Sequence, residues 1–152
     1  KILTRENYIV TLPNAVVVSG KITNLSASDP QQGINLTTGV TIGYDTPWRQ
    51  VQAMLELAAH RAQGVDHQVA PVVRKLGLLD WYTSYELQVR LLPETTLPEG
   101  RNALHSSIID VFNEFGVQIM SPNFVMQPKG AVVVAKEDWY TAPAVAPQEG
   151  DR

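Results

Sequence analysis

The sequence predicts an α+β protein that is β-rich at its start and then alternates strands with amphipathic helices. Three observations carry this expectation. The runs Tyr8 to Leu12 and Ala15 to Ser19 are rich in β-branched residues and are cut by Pro13-Asn14 and Ser19-Gly20, which are turn chemistry. Two stretches, Trp48 to Ala62 and Leu104 to Phe115, carry apolar residues at spacings of three and four. Between them, Tyr85 to Leu91 alternates apolar and polar residues without a break.

Taken in order, the opening reads as a meander of short strands ending in Thr23-Asn-Leu-Ser26. Ser26 to Gly33 is polar, with Pro30 and Gly33, and reads as a loop or interdomain link. Thr37 to Tyr44 is a half-buried strand with Val40, Ile42 and Tyr44 on one face. Thr46 and Pro47 suit the cap and first position of a helix. That helix presents Trp48, Val51, Leu55, Ala58 and Ala62 as its apolar stripe, turns Arg49, Gln52, Glu56 and His60 elsewhere, and stops at Gly64. Val69 to Leu79, interrupted by Pro71 and Gly77, suggests an edge or bulged strand. Tyr85, Leu87, Val89 and Leu91 face inward on the next strand. A loop from Pro93 to Gly100 leads to a second helix marked by Leu104, Ile108, Val111 and Phe115 and stopped by Gly116. Val117 to Met120 reads as a short strand closed by Pro122. The order strand, helix, strand, strand, helix, strand is that of a ferredoxin-like (βαββαβ) sandwich. Lys129 to Ala135 offers one more strand, and Thr141 to Arg152 reads as a flexible tail. The expected division is residues 1–33, 34–128 and 129–152.

At 152 residues the chain is long enough for one domain or two small ones. A hydrophobic share of 44%, a charged share of 18% and a net charge of -3 describe an ordinary globular protein with no field for gripping phosphates, which argues against nucleic acid as a partner. There are no cysteines, which excludes disulfides and thiolate metal sites. No apolar run approaches the roughly 20 residues a membrane-spanning helix needs. Because the sequence opens on Lys1, it is expected to be a piece of a longer protein.

Side chains with catalytic potential do not converge. His60 and His67 flank the end of the first long helix without ligand-like spacing, and His105 beside Ser106 and Ser107 points to a different helix face from either hydroxyl. Asp45, Asp66, Asp80, Asp110 and Glu114 lie near element ends; Asp110 and Glu114 share a helix face, where a solvated surface is the simplest reading. No glycine cluster precedes a helix as a phosphate cradle would. Trp48, Trp81, Tyr82, Trp139 and Tyr140 lack the basic glycine-aromatic signature of RNA-binding sandwiches. Trp81-Tyr82 is expected at a strand turn and Trp139-Tyr140 is expected to dock the tail against a surface. The expectation is therefore a non-enzyme with no cofactor, metal or nucleotide site.

The opening pattern, strand, Leu12-Pro-Asn14, apolar strand, Ser19-Gly20, strand, Thr23-Asn-Leu-Ser26, resembles the small-conductance mechanosensitive channel family at the start of its cytoplasmic region. Gly39-Val-Thr-Ile-Gly-Tyr-Asp45 before a helix and Phe115-Gly-Val-Gln-Ile-Met-Ser-Pro122 after one are similar to later parts of the same family, in the same order, over about residues 5 to 125. The resemblance implies that the opening is a partial, Sm-like middle domain, with Pro13, Asn14, Asn24 and Ser26 serving backbone geometry and subunit packing. It also implies a homoheptameric ring, a hollow cage with side portals, and pore helices upstream in a bacterial inner membrane with this region on the cytoplasmic side. Opening under membrane tension in hypo-osmotic shock would release ions and small osmolytes. The acidic, Lys-poor balance departs from an anion-attracting portal. The alternative is a free-standing ferredoxin-like ligand-sensing or subunit-binding module, which leaves Tyr8 to Ser26 without a role; an enzyme comes third.

Overall fold

The structure is a computed structural model and describes residues 1–3, 9–19, 33–119 and 133–147. The opening forms a two-stranded antiparallel ladder, β1 (Ile2–Leu3) with β2 (Ile9–Val10), followed by a short helix α1 (Asn14–Ser19). The strand expected over Ala15 to Ser19 is thus a helical turn. Pro13 sets the backbone at its entry, and the Val16 N–H donates to the Pro13 carbonyl at 3.1 Å, so a local bond is made here in place of a ladder, and no strand among the described residues pairs with this segment.

The body consists of β3 (Asn35–Gly43), α2 (Trp48–Arg61), β4 (Val72–Leu78), β5 (Tyr82–Arg90) and α3 (Leu97–Glu114). Its sheet is antiparallel in the order β3-β5-β4. β5 is central because its alternation is complete: Tyr85, Leu87 and Val89 are buried with Leu91 just beyond, while Ser84, Glu86, Gln88 and Arg90 lie on the opposite, polar face. On that polar face Arg74 reaches Glu86 at 3.1 Å and Gln88 at 2.8 Å. β4 is the expected edge strand, and its register slips between Lys75 and Gly77 as a bulge. β3 contributes Leu36 and Ile42 to the core, but Tyr44 falls beyond its end, exposed, with its hydroxyl donating to the Leu79 carbonyl at 2.6 Å.

Both helices cover the apolar side of the sheet, α2 against β4 and α3 against β3, and they also pack against each other. α2 buries Val51, Met54, Leu55, Ala58 and Ala59. Small residues at 58 and 59 let α3 approach closely, and the buried Ser107 hydroxyl donates to the Ala58 carbonyl at 2.7 Å. Pro47, rather than Thr46, occupies the N-cap position of α2 without a side-chain bond to the helix, so Trp48 is the first helical residue and stays exposed instead of joining the stripe. The helix ends at Arg61, before Gly64, which turns the chain at φ 77 and accepts from the Leu92 N–H through its carbonyl at 2.9 Å.

α3 begins at Leu97, inside the stretch expected to be a loop. The Glu99 carboxylate accepts from the Thr96 N–H at 3.2 Å and the Thr96 hydroxyl at 2.6 Å, which fixes the helix start three residues upstream of Gly100. At the other end Gly116 adopts φ 66, its N–H donates to the Asn113 carbonyl, and the Val117 N–H donates to the Phe112 carbonyl. This pair of bonds is a Schellman stop. Residues 117–119 then carry no strand, so the last strand expected over Val117 to Met120 does not form there and the described sheet keeps three strands. Likewise 133–135, the described end of the strand expected over Lys129 to Ala135, is irregular and leads into a 3₁₀ turn, Lys136–Asp138. Asn24 and Ser26 lie outside the described residues.

Candidate functional site

A concave feature lies where the sheet's apolar side runs out at the start of α2. Pairing of Lys75 with Tyr85 puts the lysine on the helix-bearing side of β4, a phase otherwise occupied by apolar residues such as Val73. Across from it, α2 begins with Trp48 and Arg49, and the segment after the 3₁₀ turn brings in Trp139 and Tyr140. The result is a cleft of about 660 Å³ with Tyr85 and Thr83 in its floor.

Its charged groups are held by rings. The Arg49 guanidinium carbon stands 4.3 Å from the Trp48 ring centre, 4.8 Å from that of Tyr140 and 5.4 Å from that of Trp139. Lys75 Nζ stands 4.0 Å above Trp48 and 3.5 Å from Gln52 Oε1. Partial burial, then the positive charge of Arg49, push the Lys75 ammonium below the usual lysine range. Burial pushes the Tyr85 phenol upward, a shift opposed by its hydrogen bond with Thr83. The tail segment is tied down a second time by Gln50, buried on α2, whose amide donates to the Ala142 carbonyl at 2.8 Å. Trp139 and Tyr140 therefore do dock against the body. Pro143 and Ala144 are partly covered there, in a stretch expected to be loose.

The other candidates stay apart. His60 and His67 rings stack at 5.8 Å, and among the described residues no group of three His, Cys, Asp or Glu is placed to hold a metal ion. His105 Nε2 meets Thr38 Oγ1 at 2.8 Å beside a smaller cavity of about 170 Å³, with neither Ser106 nor Ser107 activated by it. Asp66 caps its own turn by accepting from the Gln68 N–H at 3.0 Å. Glu114 pairs with Arg61 rather than with Asp110, and the arginine holds its carboxyl below the usual range. Trp81 and Tyr82 lie at the β4–β5 turn as expected, the Leu79 N–H closing it on the Tyr82 carbonyl at 2.9 Å. Pro13 and Asn14 start α1. The Lys75–Arg49 cluster had one sequence signal: a lysine on the inward phase of a strand.

No protein-family model matches the sequence, and no curated protein matches it significantly. Solved structures do match the fold. Helicobacter pylori MscS in its closed state superposes with a TM-score of 0.62 at 14% identity, over 83% of this chain and 49% of that one. The chain shares its fold with MscS. Arabidopsis thaliana MSL1 follows with a TM-score of 0.51 at 16% identity, over 79% of this chain and 42% of its own. This chain thus spans about half, or less, of MscS and MSL1.

Proposed function

We propose that this chain is the cytoplasmic region of a mechanosensitive ion channel, a non-enzymatic cage below a pore that opens under membrane tension and releases ions and small osmolytes. The observation that carries the reading is the match to MscS over 83% of this chain, which extends beyond the compact body. In this reading residues 1–33 are part of an Sm-like middle domain, and the body is a ferredoxin-like sandwich of which three strands lie among the described residues. Pro13, Asn14, Asn24 and Ser26 shape a subunit contact, and seven copies form a ring at a bacterial inner membrane. Among the described residues no helix is long and apolar enough to cross a membrane, so the pore would be formed by other segments.

Support for assembly comes from the opening itself. Ile9, Val16 and Val18 are exposed there, and the two-stranded ladder has outer edges that no other strand among the described residues covers. A head-to-tail contact of this kind closes into a ring when the rotation permits. Patch-clamp recording of the full-length protein under graded suction tests the proposal. Currents that rise with tension are expected; a membrane that contains the protein and stays silent to rupture overturns it.

A further inference from the structure

We propose that the cleft between the start of α2, strand β4 and Trp139 is a binding site for a small organic anion with a flat apolar body, an aromatic carboxylate. Its volume, about 660 Å³, lies within the range of small-ligand sites. Two cations face it, Arg49 and Lys75, and neither has a carboxylate partner among the described residues, where the ion pairs formed are Arg61 with Glu114 and Arg74 with Glu86. The first turn of α2 carries no acidic residue, so the positive end of the helix adds to the same field.

Partial burial, and then the positive charge of Arg49, lower the proton affinity of Lys75, so positive charge is held in this cleft at a cost. A bound anion offsets that cost. The rings specify the rest of the ligand: Trp48 and Trp139 form walls, Leu78 and Tyr85 add apolar surface, and Thr46 and Thr83 are the nearby hydroxyls. Arg49 is stacked against rings, which leaves the edge of its planar fork as the geometry suited to a carboxylate. A bare inorganic ion would satisfy the charges without using the apolar lining of Leu78 and Tyr85. The site is independent of the channel reading, since it is built within one chain.

Calorimetric titration of the whole chain with indole-3-acetate, with tryptophol as its uncharged analogue, and with inorganic phosphate tests the proposal. Saturable binding of indole-3-acetate is expected, with tryptophol and phosphate each weaker by about tenfold or more, the loss of one charge-assisted bond or of the ring contacts. Lys75→Gln is expected to weaken indole-3-acetate by about the same factor, Lys75→Arg to retain binding, and Trp139→Ala to weaken indole-3-acetate while leaving phosphate unchanged. Thermal melts of the variants separate lost binding from lost folding, and Lys75, at an exposed edge strand, is the safer of the two cations to change. No saturable binding, equal binding of tryptophol, equal binding of phosphate, or an unaffected Lys75→Gln protein that melts normally would each overturn the assignment.

Discussion

The body from Gly33 to Ile119 and the opening from Lys1 to Ser19 are both rich in valine, isoleucine and leucine, yet they put those residues to opposite use. Every buried apolar side chain among the described residues lies between Leu36 and Phe112, whereas Ile9 is 63% exposed and Val18 is 83% exposed. The difference is one of partners, not composition. Strand β5 has a neighbour on each side and two helices above it, so its alternation becomes a core; the opening offers a two-residue ladder and a helix of six residues, with Ile9, Val16 and Val18 in water. Apolar residues that a single copy does not cover are what an assembly contact requires.

Leu87→Ala should break the body most, costing about 2 to 5 kcal/mol in chemical denaturation, because a fully enclosed side chain is deleted from the central strand. Gln88→Ala, on the polar face, should cost little; equal losses would mean that the strand's facing is wrong. Gly100→Ala comes next. A β-carbon there would meet both Leu91 methyl groups at 2.6 Å, so about 1 to 3 kcal/mol of overpacking is expected, and a neutral result would show that Leu91 can move aside.

The start of α3 sharpens the comparison with the shorter α1. Thr96→Ala should cost about 0.5 to 2 kcal/mol by removing one side of the cap. The Thr96 hydroxyl first, and its N–H second, hold the Glu99 carboxyl below the usual range. A depressed carboxyl adds stability above its unfolded pKa and loses it as the pH falls through the folded one. Wild-type stability should therefore fall more steeply below about pH 4.3 than that of Thr96→Ala, as followed by denaturation against pH. The smallest effect is predicted for Val18→Ala, within about 0.5 kcal/mol in the dissociated chain, since its side chain is already in water.

Legibility in the sequence followed the same division. Periodicity located β3, α2, β5 and α3 because each buries one face, and Pro71 and Gly77 announced the edge position and bulge of β4. Pattern gave less where no core enforces it. Ala15 to Ser19 has strand composition but no strand to pair with among the described residues, and Val117 to Ile119 is turned away by the Schellman bonds of Gly116 and Val117. The capping pair Thr96 and Glu99 was present in the sequence but lay inside a segment whose Pro93, Pro98 and Gly100 read as a loop. The cleft was hidden for a different reason. It joins residues 48, 75 and 139 through tertiary contact, and only the inward phase of Lys75 hinted at it.

In the proposed assembly the body folds alone while the opening segment joins copies together. Light scattering of the whole chain and of a chain starting at Gly33, followed across concentration, tests it most directly. The shorter chain should melt cooperatively and keep the mass of one copy at concentrations where the longer one grows to a closed oligomer; identical masses for the two, whether both single or both assembled, would contradict it.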